Sequence, residues 1–318
     1  MNKAFINPHI KNGRRGLKEY LLWKVGYYDD DESLARGPTS FSYPKHQRTL
    51  SPGEPSVRWV NHSTFLISIA GVHILTDPIW SERCSPFRFM GPKRTHPPGI
   101  SLSGLPKIDI VLISHNHYDH LDKRTVLALS RLFPHIAWFV PKGVKQWFDR
   151  LGISPVYELS WWEERELSIP IKLTAVPAQH FSGRSSFGHN SSLWMGWVLE
   201  SEHAGTQKKC YFVGDTGYNP FDFASIGERF GPIDLALVPI GTYRPRAFMR
   251  DVHVDPTESV RIHMDVGSLL SIGMHWKTFC LSDEPMDRPP YDLFHALQQA
   301  GVDPSQFLVL DPGEEVNW

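Results

Sequence analysis

The sequence has little cysteine, no long hydrophobic run and almost no net charge. Its three cysteines, Cys84, Cys210 and Cys280, are far apart along 318 residues, so we expect neither a disulfide scaffold nor a Cys-x-x-Cys metal site. The longest apolar stretches, such as 64–70 and 233–240, fall far short of the roughly 20 residues that a membrane-spanning helix needs. A formal charge of −1 disfavours a protein that coats a polyanion, and we predict no nucleic-acid partner.

The N-terminal region differs in composition from the rest of the chain. Its opening residues, MNKAFINPHIKNGRRG, have no apolar segment and no small-residue cleavage site, so we predict no secretory signal and a cytoplasmic protein. Residues 1–26 carry six lysines and arginines against one glutamate, and residues 44–55 contain three prolines, one serine and one glycine. We therefore divide the chain into a basic arm and linker, residues 1–56, and a folded domain, residues 57–318.

The basic arm has three open interpretations. Residues 17–24, LKEYLLWK, fit an amphipathic helix that could rest on anionic lipid, which would make the protein peripheral at a membrane. The same residues could instead pack on the core or form a homodimer contact. A disordered tail is the third alternative.

Apolar runs and turn signals predict an α/β (α+β) core. Strands are expected at 57–60, 64–69, 72–76, 108–114, 136–141, 166–179, 192–200, 209–215, 269–275 and 306–310. Helices are expected at 123–133, 143–152, 258–266 and 291–300, with Asp122 capping the first of them. Cys210 and Cys280 both lie in stretches that are typical of strands. This order favours two mixed sheets packed face to face, with helices outside.

Histidine is abundant, with 16 in the chain, and several are grouped. The segment SHNHYDHL, residues 114–121, places His115, His117, Asp119 and His120 within six residues, directly after a predicted buried strand. Imidazole is a common ligand of zinc and similar metals, and a carboxylate in the same turn allows one loop to serve two ions. A merely solvated histidine-rich loop is the alternative, which the position at a strand end disfavours.

Three isolated residues, His180, Asp215 and His275, each follow an apolar strand. Alone, each would more often be a hydrogen-bonded core residue. Together with the cluster they make seven positions, which is enough for three ligands to each of two ions and one bridging carboxylate. His189 is an alternative to His180, but His180 directly follows the strand pattern TAVPAQ.

The motifs resemble those of known hydrolases. HNHYDH, a later lone histidine, the GDTG turn and a final histidine are similar to the metallo-β-lactamase fold hydrolases. A longer set, including RWVNHSTFLI, TDPIW, MGPKR, FVGDTGYNP, YRPRAFM, HVDPTESVRIH and MHWKTF, resembles the N-acyl-phosphatidylethanolamine-hydrolysing phospholipase D family. The segment 214–278 is the most specific part of this match. The resemblance implies an αββα sandwich with a dinuclear metal site.

When the site residues of the family are matched one by one to this sequence, the resemblance implies two Zn²⁺ ions per chain. It assigns His115, His117 and His180 to one ion, Asp119, His120 and His275 to the other, and Asp215 to the bridge. It also implies a substrate contact for His253, with a structural histidine as the alternative, and ligand-orienting roles for His62 and Asp77, with simple turn-forming roles as the alternative. Histidine rather than glutamate at 117 disfavours the oxygen-reducing di-iron branch of the fold.

The expected activity follows from such ions, which lower the pKa of bound water towards about 7. A hydroxide bridging the two metals would attack phosphorus without a serine or cysteine nucleophile, and Asp119 or a metal-bound water would protonate the leaving alkoxide, so Asp119 and Asp215 are the catalytic candidates. The resemblance implies a zinc-dependent phosphodiesterase of phospholipase D type that acts on a phospholipid, converting N-acyl-phosphatidylethanolamine to N-acylethanolamine and phosphatidic acid. The alternatives are a lactonase or sugar-phosphate hydrolase of the same fold and a non-catalytic lipid-binding protein.

Overall fold

Two seven-stranded sheets form the centre of the fold in a computed structural model that describes residues 4–10, 21–23, 25–28, 41–46, 48, 50–184 and 189–318. The strands are β1 (Ser56–Asn61), β2 (Thr64–Ile69), β3 (Val72–Thr76), β4 (Ile110–Leu112), β5 (Ala137–Pro141), β6 (Val156–Leu159), β7 (Glu164–Glu166), β8 (Lys172–Val176), β9 (Gly196–His203), β10 (Thr206–Phe212), β11 (Leu235–Pro239), β12 (Ser271–Met274), β13 (Phe307–Leu308) and β14 (Glu315–Asn317). One sheet has the order β14-β1-β2-β3-β4-β5-β6, and the other has the order β13-β12-β11-β10-β9-β8-β7.

Each sheet has an antiparallel half and a parallel half. Strands β14, β1, β2 and β3 pair antiparallel, and β3 to β6 pair parallel. The second sheet repeats this plan, with β7 to β10 antiparallel and β10 to β13 parallel. The two sheets face each other, because Phe65 and Ile67 of β2 belong to the same buried cluster as Trp197 and Leu199 of β9. These strands are largely apolar since both faces of each sheet are covered.

The helices cover the outer faces. They are α1 (Lys123–Leu132), α2 (Lys145–Asp149), α3 (Pro220–Phe230), α4 (Arg246–Met249), α5 (Pro256–Asp265) and α6 (Arg288–Ala300). Asp122 caps α1, as predicted, by accepting a hydrogen bond from the backbone N–H of Arg124. Helix α1 buries Val126 and Leu129 in a cluster with the first sheet, whereas Val260 of α5 packs with the second. The predicted sandwich of two mixed sheets with helices outside is therefore confirmed.

Two local predictions are wrong. The run 166–179, predicted as one strand, contains the end of β7 and all of β8, which pair antiparallel around a turn at 167–171. Pro170 lies in this turn, and proline has no N–H to continue a strand ladder. Cys280 lies outside any strand and is exposed, because β12 already ends at Met274.

The described parts of residues 1–56 contact the folded core. Trp23 is buried and stacks on Phe248 at a ring-centroid distance of 5.1 Å. The side chain of Asn7 donates a hydrogen bond of 2.6 Å to the carbonyl of His180. Residues 11–20 lie outside the described residues, and with them most of the predicted amphipathic helix at 17–24. The three interpretations of the arm therefore stay predictions. The division of the chain at residue 56 also stays a prediction. None of the described helices is long and apolar enough to cross a membrane.

Candidate metal centre

The side chains predicted to bind metal converge at one edge of the two sheets. The cluster 115–120 follows β4, His180 follows β8, Asp215 follows β10 and His275 follows β12. Strands β4 and β12 each belong to the parallel half of a sheet, whose carboxyl ends meet at a common edge. Residues that are up to 160 positions apart in sequence are thereby placed within a few ångströms of one another.

Three imidazole nitrogens form the first group. His115 Nε2 lies 2.8 Å from His117 Nδ1, and His180 Nε2 lies 3.3 Å from the same His117 atom. A tetrahedral ion with nitrogen ligands at about 2.0–2.1 Å would separate those nitrogens by about 3.3 Å. The spacing is therefore suitable for one such ion.

A carboxylate and two imidazoles form the second group. His120 Nε2 lies 3.1 Å from Asp119 Oδ2, and His275 Nε2 lies 3.4 Å from the same oxygen. The two imidazole rings are stacked, with centroids 5.2 Å apart and planes at 16°. Both rings thus present Nε2 to the same side, towards the carboxylate.

Asp215 lies between the two groups. Its Oδ2 is 3.2 Å from His120 Nε2 and 3.0 Å from His275 Nε2. The same oxygen is 3.9 Å from His115 Nε2 and 3.8 Å from His180 Nε2. One buried carboxylate is therefore close to both groups, which is the position that a bridging ligand requires.

Hydrogen bonds on the far side of the rings orient four of the five imidazoles. Each Nδ1 lies near an oxygen acceptor: His115 near Ser114 Oγ at 2.9 Å, His120 near Asp77 Oδ2 at 2.6 Å, His180 near the Val252 carbonyl at 2.8 Å and His275 near Thr242 Oγ1 at 3.1 Å. An acceptor at Nδ1 favours the tautomer that carries its proton there. The Nε2 lone pair of each ring is then directed at the centre.

Burial and close carboxylates shift the pKa values of the side chains in the centre. Burial lowers the pKa of His117 to about 3 and that of His180 to about 4, so both rings are neutral near pH 7. Burial also opposes a charge on His275, but Asp215 and Asp119 outweigh it and raise the pKa of His275 to about 9. Burial would raise the pKa of Asp215, yet its histidine neighbours hold it well below the usual range. The ionised carboxylates thus favour a positive charge beside them, either as a proton on His275 or as a bound cation that takes the place of that proton.

Several buried polar atoms at the centre also lack a well-directed hydrogen bond. Among the described residues, the buried atoms His120 Nε2, His275 Nε2 and Asp215 Oδ1 make no hydrogen bond of suitable geometry, although both nitrogens face Asp215 Oδ2, at 3.2 Å and 3.0 Å. An unpaired buried polar atom costs about 1–3 kcal/mol, so several of them around one point indicate a bound group. A donor set of imidazole nitrogens and carboxylate oxygens fits divalent zinc or a similar first-row ion.

The remaining predicted site residues lie beside these groups. His62 Nε2 is 2.9 Å from Asp119 Oδ2, and Asp77 contacts the outer nitrogen of His120 as described above. His253 Nδ1 is 4.0 Å from Asp215 Oδ2, and its side chain is partly exposed. All ten residues named from the sequence are thus brought together. His189 belongs to none of the candidate metal groups found among the described residues.

Backbone strain accompanies this arrangement. His62, Asp77, Thr242 and His275 have φ values of +44°, +32°, +65° and +61°. Residues other than glycine rarely adopt this left-handed region, and a β-branched residue such as Thr242 is especially disfavoured there. Such strain persists only when surrounding contacts enforce it. One of these contacts is the hydrogen bond of 3.1 Å from the His275 N–H to the carbonyl of His62.

Three supporting residues were missed from the sequence. Thr242 and Ser114 orient ligand rings, and Ser114 in turn donates to Asp77 Oδ2. Arg184 holds the ligand loop, because its Nη1 donates to the carbonyls of Asn116 at 3.0 Å and Leu121 at 2.6 Å. The position of Ser114 next to the cluster was an available signal. Nothing in the local sequence distinguishes Thr242 or Arg184 from other polar loop residues.

The chain is similar to several known proteins. The β-lactamase superfamily domain matches residues 73–276. N-acyl-phosphatidylethanolamine-hydrolysing phospholipase D 1 of Caenorhabditis elegans is 40% identical over 266 residues, which cover 80% of this chain and 74% of that protein. The mitochondrial N-acyl-phosphatidylethanolamine-hydrolysing phospholipase D of Saccharomyces cerevisiae is 38% identical over 230 residues, which cover 71% of this chain and 48% of that protein.

A solved structure shares the fold. Igni18, a metallo hydrolase of Ignicoccus hospitalis, superposes with a TM-score of 0.59 at 21% identity, covering 83% of this chain and 98% of Igni18. The fold and the sequence matches agree, and the donor set at the strand ends is the one that a metal-dependent hydrolase needs. The chain is a metal-dependent hydrolase of the β-lactamase superfamily and belongs, within it, to the N-acyl-phosphatidylethanolamine-hydrolysing phospholipase D family.

Proposed function

We propose that the chain is a zinc-dependent phosphodiesterase that hydrolyses N-acyl-phosphatidylethanolamine to N-acylethanolamine and phosphatidic acid. The observation that carries the proposal is the pair of three-residue groups that share Asp215 Oδ2. The similarity to the worm and yeast phospholipases D supports the choice of substrate.

Seven residues would hold two Zn²⁺ ions. One ion would be bound by His115, His117 and His180, and the other by Asp119, His120 and His275, with Asp215 between them. Bound there, the ions would lower the pKa of a water molecule towards about 7 and would offset the negative charge of a phosphodiester. The chain's own residues set the geometry, because the acceptors at the outer nitrogens prevent the rings from turning.

Water is the nucleophile in this proposal, since the nearby hydroxyl and thiol groups are otherwise engaged or shielded. Ser114 Oγ donates to Asp77 and lies on the far side of the His115 ring. Burial raises the pKa of the Cys84 thiol far above the neutral range, so it is not a thiolate. A covalent enzyme intermediate is therefore not needed.

Asp119 and His253 would serve the substrate on the open side of the centre. Both are partly exposed, whereas Asp215 is buried, so a substrate approaches from their side. Asp119 is held by His62 Nε2 and, as a carboxylate, would take a proton from the attacking water and pass it to the departing alkoxide. His253 would contact a phosphate oxygen. The alcohol oxygen leaves phosphorus, the water oxygen joins it, and the proton of the water ends on the alcohol.

Isotope labelling tests the reaction. Hydrolysis in water enriched in ¹⁸O, followed by mass spectrometry of the lipid products, should place the label in phosphatidic acid and leave N-acylethanolamine unlabelled. Label in the N-acylethanolamine would contradict attack at phosphorus. Turnover of soluble lactones or sugar phosphates, with no lipid product from detergent-dispersed substrate, would instead support the other hydrolase activities of the fold.

A further inference from the structure

An exposed apolar tip projects from the loop between β3 and β4. Phe87, Phe89 and Met90 lie within four residues and are 47%, 80% and 55% exposed. The two phenyl rings contact each other, with centroids 5.8 Å apart. Isolated exposed apolar residues are ordinary, but three adjacent ones form a patch that usually contacts another surface. We refer to residues 85–91 as the apolar tip.

The apolar tip stands on a stem that hydrogen bonds hold closed. Cys84 N–H donates to the carbonyl of Pro92 at 3.2 Å, and Arg83 Nη1 donates to the carbonyl of Gly91 at 2.6 Å. Gly91 has φ of +103°, and a Cβ there would lie 2.6 Å from Ser85 Cβ. Only glycine permits this closure of the tip. The exposed phenyl rings therefore lie on a turn whose conformation is fixed by hydrogen bonds and by Gly91.

The stem is linked to the metal centre through two intervening side chains. Cys84 and Phe279 belong to one small buried cluster. The Phe279 ring packs on His62 at a centroid distance of 5.3 Å, and His62 Nε2 is 2.9 Å from Asp119. Asp119 is one of the partly exposed residues of the centre. The apolar tip is thus anchored next to the side from which a substrate can enter.

Basic residues flank the apolar side chains in the sequence. Residues 82–94 contain four arginines and lysines and a single acidic residue, Glu82, which pairs with Lys93 at 2.9 Å. Arg88, between the two phenylalanines, is exposed and pairs with no carboxylate in the described part of the chain. Aromatic side chains interleaved with basic ones suit a bilayer surface, where rings enter the acyl boundary and cations meet anionic headgroups.

We propose that the apolar tip docks this protein on an anionic phospholipid surface and so places the metal centre at that surface. The choice of a lipid as the occupant rests on the proposed function, whereas the exposed tip and its position do not. Two partly exposed phenyl rings transferred out of water supply the apolar part of the binding, and Arg88 supplies a salt-sensitive part.

The test measures vesicle binding in the absence of substrate. The full chain and its variants are cosedimented with vesicles of four parts phosphatidylcholine to one part phosphatidylserine, at low and high salt. The variants are F87S/F89S, R88E and, as a matched control, L132S/L269S, which removes two exposed leucines elsewhere. Metal content and sedimentation velocity are recorded for each, so that damage to the fold or a change of oligomeric state is detected.

F87S/F89S is expected to reduce the partition coefficient about tenfold or more. R88E should weaken binding mainly at low salt, and the control should stay within about twofold of the unaltered chain. The proposal is overturned if the unaltered chain does not bind the vesicles, or if F87S/F89S binds them as tightly as the unaltered chain. It is also overturned if F87S/F89S changes only the oligomeric state, because the tip would then contact a second copy of the chain. Vesicle binding without any hydrolysis of N-acylated lipid would contradict the proposed function but leave the docking surface intact.

Discussion

Replacing Thr242 by valine tests how the second group of ligands is held. Thr242 Oγ1 lies 3.1 Å from His275 Nδ1, and the side chain is buried. Valine has nearly the same shape but no acceptor, so the Nδ1 proton would be left unpaired. That loss is worth about 1–3 kcal/mol. Since each 1.4 kcal/mol is a factor of ten, the affinity for the ion assigned to His275 should fall about 10-fold to 100-fold, the range typical of residues that orient metal ligands.

The assay is competition for zinc with a chromophoric chelator, alongside urea unfolding of the metal-free chain. Thr242→Ser is the matched control, because it keeps the hydroxyl and should stay close to the affinity of the unaltered chain. The reasoning would be refuted if Thr242→Val binds zinc as tightly as the unaltered chain. It would be refuted equally if serine and valine weakened binding alike, because the effect would then come from packing or from the strained backbone at φ +65°.

Two further predictions concern the ligands and their loop. Asp215→Ala should retain less metal than His253→Ala, because Asp215 Oδ2 lies within 4 Å of nitrogens from both groups and is assigned to both ions, whereas His253 is assigned to the substrate; equal loss by elemental analysis would mean that one of them is misassigned. Arg184→Lys should lower the free energy of unfolding by about 1–3 kcal/mol, because lysine cannot reproduce the guanidinium donation to the carbonyls of Asn116 and Leu121. Urea denaturation measures it, and an unchanged free energy would show that the two carbonyls find other donors.

Much of the fold could be predicted because its strands are short apolar runs between clear turn signals. The hairpin strands β1, β2 and β3 were placed within a residue of their ends for this reason. The split between β7 and β8 was missed since alternate residues stay apolar through the turn, where Pro170 is the residue that breaks the strand. Strand β11 was not assigned either, although the apolar run 233–240 contains it, because a short apolar run without alternation fits a buried strand and a buried helix segment equally.

The site was predictable to the extent that its chemistry is concentrated in side chains at strand ends. The cluster 115–120 is recognisable from the local sequence, because four candidate ligands lie within six residues. His180, Asp215 and His275 are predicted as further ligands because each follows an apolar strand. Their assignment as ligands stays a prediction. The groups that orient the rings are harder to find, because the acceptor for His180 is a backbone carbonyl, that of Val252, which any residue could supply.

The central claim is that these side chains form one dinuclear centre. Elemental analysis of the gently purified full chain measures this most directly, with the ratio of metal to protein determined before and after dialysis against a mild chelator. We expect about two divalent ions per chain, zinc among them, because the seven ligands give each ion three terminal ligands and a share of one carboxylate, and a catalytic zinc site can add water as a fifth ligand. Less than one ion per chain in protein that has not been exposed to a chelator would contradict a dinuclear centre.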